Sequence, residues 1–164
     1  MHDRLLPVAG KLITVPSFLP RAFLDANLLV ALVLYDRGPH PLLSAALDRR
    51  YRPQWSAYVV QEARRMLRRA LPGRLRELEA LLRDLPHDDL PEPSAAAVQH
   101  CRGILGDDAD VPVFAAAWEA GADYLVTSDR RLRQKARGHA PPEVVAVPEF
   151  LRILNSDAHR REES

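Results

Sequence analysis

The chain of 164 residues is long enough for one domain with a sizeable core, and a hydrophobic content of 47% argues against disorder. One cysteine, Cys101, excludes an internal disulfide framework and a cysteine-based zinc site, and it indicates a reducing compartment. The formal net charge of +1 excludes a global electrostatic field that would attract a polyanion. All but two of the 23 basic residues are arginines, whose planar guanidinium group suits phosphate.

The first third of the chain predicts an extension followed by alternating strands and helices. Residues 1–20 contain three prolines and no clear period. We therefore expect a loosely ordered N-terminal extension, with "KLITV" as a candidate short strand, and no convincing secretion signal. Residues 22–24 predict a buried strand and residues 28–34 a helix. A second helix is predicted at 41–49, and "RPQWS" is a weak strand candidate.

The middle of the chain is predicted to be mostly helical. "AYVVQEARRMLRRA" places its apolar residues at helical spacing, and Pro72 with Gly73 ends that helix. Residues 74–85 predict a leucine-rich amphipathic helix, and "PHDDLPEP" predicts a loop or an irregular edge strand. Ser94 is the predicted cap of a helix at 95–104.

The last third returns to alternating strands and helices. Pro112 opens a helix that Gly121 ends. "DYLVTSD" predicts a strand with a polar end, "RRLRQKA" a short helix and "EVVAV" a final strand. "PEFLRIL" predicts a closing helix, followed by a polar C-terminal tail at 155–164. No stretch approaches the roughly 20 apolar residues of a membrane span, so we expect a cytoplasmic protein without membrane contact.

This order of elements predicts an α/β fold with a parallel sheet and helices on both faces. In such sheets, functional groups gather beyond the carboxyl ends of the strands, at the topological switch point. Four carboxylates are candidates for that edge. Asp25 and Asp129 end strands, Asp110 stands before the Pro112 helix, and Glu62 lies on the helix after "RPQWS".

Each of these carboxylates also has an ordinary structural interpretation. Asp25, Asp110 and Asp129 could each cap the helix that follows, and Glu62 could be a solvated helix residue. The functional hypothesis rests on the four together. Carboxylates brought close repel one another, and a hard divalent cation such as Mg²⁺ or Mn²⁺ neutralises them with oxygen ligands. Such clusters support phosphodiester cleavage, because the metal activates a water and stabilises charge on the leaving oxygen.

The segments around these carboxylates resemble the PIN-domain family, in particular its bacterial and archaeal toxin–antitoxin proteins. The resemblance rests on "FLDANLLV", "SAYVVQEARRML" and, most specifically, "DADVPVFAAAWEAGADYLVTSDRRL", in which Asp129 follows Asp110 by 19 residues. It covers residues 21–154. It implies a three-layer fold whose short, mostly parallel central sheet has four to five strands and helices on both faces.

The resemblance also implies a metal-dependent endoribonuclease that uses Mg²⁺ or Mn²⁺. The family's catalytic and metal-binding quartet falls on Asp25, Glu62, Asp110 and Asp129. Its supporting polar positions, which would orient the carboxylates by hydrogen bonds, fall on Asn27, Thr127 and Ser128. Ser128 stands where a glycine is common. In "GDDAD", Asp107 and Asp108 are rival ligands to Asp110, and alignment with the family favours Asp110.

The partners that the resemblance implies are an RNA substrate, an antitoxin that holds the activity in check, and a second copy of the chain. The dimer would form through "LVALVLY" or through the helix at 74–85. Arginines beside the acidic residues are candidate phosphate contacts, since such contacts dominate affinity for nucleic acids. They are Arg64, Arg65, Arg130, Arg131 and Arg133. Arg68 and Arg69 fit a solvated helix face better.

Two other classes of protein are alternatives to this hypothesis. One is a PIN fold that binds RNA or protein without cleavage, against which the intact quartet argues. The other is a haloacid-dehalogenase-like Mg²⁺ phosphatase, which requires a second carboxylate two residues after Asp25, where this chain has Asn27. Four aromatic residues are predicted to belong to the core or to an interface and not to stack on bases. They are Trp55, Tyr58, Trp118 and Tyr124.

Overall fold

The computed structural model describes the backbone of residues 4–8 and 11–15 and all of residues 19–163. Strands β1 (Arg4–Val8) and β2 (Lys11–Val15) pair antiparallel, so the short strand predicted at "KLITV" is confirmed. The prediction of a loosely ordered extension also concerns residues 1–3, 9–10 and 16–18, which lie outside the described residues.

A five-stranded parallel sheet forms the centre of the domain. Its strand order is β5-β4-β3-β6-β7, and every neighbouring pair is parallel. The strands are β3 (Arg21–Leu24), β4 (Arg52–Ser56), β5 (Asp88–Leu90), β6 (Tyr124–Val126) and β7 (Glu143–Val145). The predicted α/β fold is confirmed, and "PHDDLPEP" contains the edge strand β5.

The topological switch point lies between β3 and β6. After β3 the chain builds β4 and β5 on one side, and it then returns to place β6 and β7 on the other. Leu24 pairs with Val126 at the carboxyl ends of β3 and β6, and both side chains are fully buried. The residues that follow these two strands, Asp25 and Thr127, therefore begin at the same edge of the sheet.

Eight α-helices flank the sheet within residues 19–163. They are α1 (Ala26–Leu34), α2 (Pro41–Leu47), α3 (Ala57–Ala70), α4 (Leu75–Asp84), α5 (Ala95–Leu105), α6 (Val111–Glu119), α7 (Arg130–Lys135) and α8 (Val147–Glu162). Helix α1 packs against α3 and α4, and α5 packs against α6. The buried positions of α3, which are Val59, Ala63 and Leu67, lie at the helical spacing expected of a core-facing stripe.

The boundaries of α5 and α6 lie where the capping and helix-breaking residues predict them. The Ser94 hydroxyl accepts a hydrogen bond from the Ala97 backbone N–H at 3.1 Å, so the predicted cap of α5 is confirmed. Pro112 lies in the first turn of α6, where its missing N–H costs no hydrogen bond. Gly121 follows this helix with φ of 67°, a conformation that residues with a side chain rarely adopt.

The end of the chain differs from the prediction. Helix α8 continues without a break to Glu162, so most of the predicted tail at 155–164 is helical. Polar residues that follow the last buried position, Leu154, carry no apolar period from which a helix could be predicted. Arg50 donates a hydrogen bond to Asn155 Oδ1 at 2.7 Å, which holds this helix against the loop before β4. In the part of the chain that the structure describes, no helix is long and apolar enough to cross a membrane.

Candidate active site

Asp25 lies directly after β3 and is only 9% exposed. Its Oδ1 accepts a hydrogen bond from the Ala26 backbone N–H at 2.8 Å, which caps α1. Its Oδ2 accepts a hydrogen bond from the Thr127 hydroxyl at 2.7 Å. The two interpretations of Asp25, helix cap and site residue, are therefore compatible, because one oxygen caps the helix while the other faces the end of β6.

Thr127 connects the ends of the two central strands and is fully buried. The hydroxyl that donates to Asp25 also accepts a hydrogen bond from the Asp129 backbone N–H at 3.0 Å. Asp129 Oδ1 in turn accepts from the backbone N–H groups of Arg131 and Leu132 at 2.9 and 3.2 Å, which caps α7. One buried hydroxyl thus helps to fix both aspartates, although β6 ends at Val126 and Asp129 caps α7 instead of ending the strand as predicted.

Asn27 and Ser128 form a second link across the same edge. Asn27 Nδ2 donates to the Ser128 hydroxyl at 2.6 Å. Asn27 Oδ1 is buried, and no residue within the described ranges forms a hydrogen bond with it. A buried acceptor without a partner is uncommon in folded proteins. It leaves an oxygen available beside Asp25.

Asp110 and Glu62 reach the edge from two helices. Asp110 immediately precedes α6 and makes no capping bond with its side chain, and it lies close enough to Asp129 for the charge of Asp129 to act on it. Glu62 lies in the second turn of α3, where Arg65 donates to it at 2.5 Å. All four predicted carboxylates line one cleft of about 290 Å³. The structure therefore brings the predicted quartet together.

Burial and neighbouring negative charges perturb the carboxylates of the cleft. Burial, followed by the negative charges of Asp129, Asp108 and Asp25, raises the pKa of Asp110 to about 6. Burial is also the largest cause that raises the pKa of Asp25, while the hydrogen bond from Thr127 opposes the rise. A negative charge at Asp110 is thus unfavourable in the protein by itself, and a cation bound in the cleft would favour it.

The two rival acids in "GDDAD" do not line the cleft. The Asp107 side chain is 98% exposed and lies 3.9 Å from Arg102. Asp108 forms an ion pair with Lys135, and its Oδ1 accepts a hydrogen bond from the Asp110 backbone N–H at 2.9 Å. Of the three aspartates in this loop, Asp110 is the one whose side chain faces the other members of the quartet.

Among the residues that line the cleft, Tyr58 and Met66 were not predicted as site residues. Both lie beside Glu62, and Tyr58 also packs against the hydrophobic core, as predicted. Tyr58, Glu62 and Met66 follow one another at intervals of four along α3, and this spacing could have indicated a shared face. Burial and the charge of Glu62 raise the pKa of Tyr58. Trp55, in contrast, is 1% exposed and belongs to the core as predicted.

Three of the candidate RNA-binding arginines form hydrogen bonds within the protein. Arg64 donates to both carboxylate oxygens of Glu79 at 2.6 and 2.9 Å, which joins α3 to α4. Arg65 pairs with Glu62, and Arg133 donates to the Thr127 carbonyl at 3.1 Å. Arg130 and Arg131 at the start of α7 are exposed, as are Arg65, Arg68 and Arg69 along α3. Arg130 and Arg131 follow Asp129 directly.

The donor set of the cleft fits a hard divalent cation. Across residues 19–163, no group of three Asp, Glu, His or Cys side chains is already arranged to hold a metal ion. However, the cleft offers only oxygen donors from its polar residues, which are the ligands that Mg²⁺ and Mn²⁺ prefer. The raised pKa of Asp110 and the unpartnered Oδ1 of Asn27 both mark groups whose interactions a cation would complete.

The fold and the cleft define an α/β protein with an acidic site at the switch point of a parallel sheet. A family model described as "PIN domain" matches residues 21–131, and the chain belongs to this family. PIN domains are generally nuclease folds and generally use divalent metal ions. The resemblance predicted from the sequence is therefore confirmed at the level of the family and the nuclease-type fold.

Comparison with solved structures agrees with this assignment. The chain is similar to the crystal structure of PAE2754 from Pyrobaculum aerophilum, with a TM-score of 0.59 and 20% sequence identity. The match covers 84% of this chain and 96% of that chain. At this identity the likeness concerns the fold. Among curated proteins, none matches the chain.

Proposed function

We propose that the chain is a metal-dependent endoribonuclease that hydrolyses RNA phosphodiester bonds at the acidic cleft. The observation that carries this proposal is that the four carboxylates of Asp25, Glu62, Asp110 and Asp129 line one cleft. Burial, followed by the charges of neighbouring carboxylates, raises the pKa of Asp110 there to about 6. Perturbed carboxylates that share a cleft are more typical of functional sites than of structural ion pairs. The confirmed family membership supports the same class of chemistry.

The side chains of the cleft have different proposed roles in binding the metal ion and in orienting its ligands. Asp25 and Asp129 are the proposed principal ligands of Mg²⁺ or Mn²⁺, and Asp110 completes the set directly or through a water. The bound ion supplies an activated water and stabilises charge on the leaving oxygen. Glu62 would hold a second ion or orient the attacking water. Thr127 fixes Asp25 through its hydroxyl, the kind of support that tunes metal sites.

Substrate binding is proposed to use the exposed arginines beside Asp129. Arg130 and Arg131 carry their charges next to the proposed metal site, where contacts with phosphate would position the scissile bond. Arg133 and Arg65 already bond within the protein, and Arg64 is held by Glu79. These three arginines would contribute to the field that attracts RNA rather than to direct contacts.

A cleavage assay with a matched pair of variants tests this function. The wild-type chain is expected to cleave single-stranded RNA with Mg²⁺ or Mn²⁺ and to lose the activity in a chelator. Asp25→Asn should abolish cleavage. Asp107→Asn, which removes the same charge from an exposed side chain outside the cleft, should not. Binding of RNA without cleavage by the wild-type chain would indicate a binding module instead.

We also propose the biological setting that the sequence resemblance implies. The chain would act in the cytoplasm as the toxin of a toxin–antitoxin pair, as a homodimer, with an antitoxin covering the cleft. Induced expression should then arrest growth in a manner that Asp25→Asn prevents. Arrest by both forms, or by neither, would contradict a toxin role while leaving the nuclease activity to the assay above.

A further inference from the structure

Asp108 makes two bonds in different directions from a side chain that is only 16% exposed. Its Oδ1 accepts from the Asp110 backbone N–H at 2.9 Å, and its Oδ2 accepts from Lys135 Nζ. The Asp108 carbonyl also accepts from the Val111 backbone N–H at 3.2 Å. These contacts fix the turn that presents Asp110, because the backbone N–H groups of Asp110 itself and of Val111, the residue after it, both donate to Asp108.

Lys135 connects this turn to the other side of the cleft. It is the last residue of α7, the helix whose cap is Asp129. The ion pair between Lys135 and Asp108 therefore joins the helix that begins at Asp129 to the loop that carries Asp110. At the other end of this bridge, Asp110 and Asp129 line the same cleft, close enough for the charge of Asp129 to raise the pKa of Asp110.

We propose that Lys135 and Asp108 are positioning residues that hold Asp110 against Asp129 and thereby set the affinity of the cleft for a divalent cation. This inference rests on the proposed function, because it concerns the same acidic cleft. Neither residue lines the cleft. Both act through the backbone of the turn, and residues that orient metal ligands in this way typically change metal affinity by about 10–100-fold when they are replaced.

The direction of the effect separates positioning from simple electrostatics. Removal of the Lys135 charge leaves the region of Asp108, Asp110 and Asp129 more negative, which by itself would attract a cation more strongly. Loss of the bridge frees the Asp110 turn and weakens the site. A weaker affinity in Lys135→Met is therefore evidence for positioning, since the change in charge alone acts in the opposite direction.

The test is calorimetric titration of Mn²⁺ into the full chain without RNA. Lys135→Met is expected to weaken binding by at least about tenfold, while Lys135→Arg, which keeps the charge and a donor, should stay within about threefold of wild type. Arg102→Met provides the matched control. It removes the positive charge from the exposed ion pair between Arg102 and Asp107, and Asp107 lies in the same loop as Asp108. Because exposed ion pairs contribute little to stability, the affinity of this control for Mn²⁺ should stay within about twofold of the wild-type value.

A second variant and a metal-free measurement complete the test. Asp108→Ala should weaken Mn²⁺ binding at least as much as Lys135→Met. The double variant should bind Mn²⁺ no more weakly than Asp108→Ala alone, because the two residues act as one unit. In metal-free crystals, Lys135→Met should displace the Asp110 carboxylate relative to Asp129. An unmoved carboxylate, or unchanged or tighter Mn²⁺ binding, overturns the inference. A wild-type chain that binds no Mn²⁺ contradicts the proposed function, and the metal-free crystals then still decide whether the bridge positions Asp110.

Discussion

Replacement of Asp110 by asparagine is expected to stabilise the metal-free protein while it removes metal-dependent activity. The carboxylate of Asp110 is half-buried among Asp25, Asp108 and Asp129, and these surroundings raise its pKa from 3.8 to about 6. Asparagine has a similar shape and no charge, so the variant removes the repulsion. A residue whose replacement stabilises the fold and removes activity is typical of a functional site.

The size and the pH dependence of this effect follow from the pKa. A rise from 3.8 to about 6 corresponds to about 3 kcal/mol against the ionised form. Solvent screening at a half-exposed carboxyl reduces this to about 1 kcal/mol. Between these two pH values the folded state keeps a proton that the unfolded state has released, so the free energy of unfolding of the wild type falls as pH rises. The advantage of Asp110→Asn should be absent at about pH 4 and complete at about pH 8.

Thermal unfolding in a chelator measures this advantage. At about pH 8, Asp110→Asn should unfold about 2–4 °C above the wild type, the shift expected for about 1 kcal/mol in a protein of this size. Asp107→Asn removes the same charge from an exposed side chain and should change the free energy of unfolding by less than about 0.5 kcal/mol. Added Mg²⁺ should raise the midpoint of the wild type more than that of the variant. A lower midpoint for Asp110→Asn in chelator at the higher pH would refute the reasoning.

Three further variants test other parts of the site. Thr127→Val removes the hydroxyl that bonds Asp25 and Asp129 and should lower the free energy of unfolding by about 1–3 kcal/mol in urea titrations; an unchanged midpoint would contradict the role given to this hydroxyl. Arg130→Gln with Arg131→Gln, made in the Asp25→Asn background, should reduce the salt dependence of single-stranded RNA binding by about 0.7 in log–log slope for each charge removed; an unaltered slope would exclude these arginines as phosphate contacts. Arg65→Gln breaks an exposed pair with Glu62 and should change the free energy of unfolding by less than about 0.5 kcal/mol; a larger loss would show that the pair is structural.

The sheet and its acidic edge could be predicted because local chemistry and topology agree there. The apolar strand before Asp25 and the apolar strand before Thr127 are read directly from the sequence, and parallel strands bring their carboxyl ends to one edge. Asp110 was distinguished from Asp107 and Asp108 only by resemblance to the PIN family. The structure adds the physical reason, since Asp107 lies in solvent and Asp108 is engaged with Lys135.

Other features depend on tertiary contacts that no local pattern records. The pair between Asp108 and Lys135 joins residues 27 positions apart, and nothing in either segment indicates the other. The helical continuation of α8 beyond Leu154 has no apolar period, so its polar residues were read as a tail. Tyr58 packs against the core, as predicted, and its place in the cleft depends on how α3 crosses the sheet edge.

The most direct test of the account is anomalous diffraction from a crystal of the wild-type chain soaked in Mn²⁺. We expect a peak in the cleft between Asp25 and Asp129, with Asp110 within direct or water-mediated reach, and no such peak in crystals of Asp25→Asn. Manganese bound only elsewhere on the protein, or no manganese bound at all, would contradict the claim that the four carboxylates form a metal site.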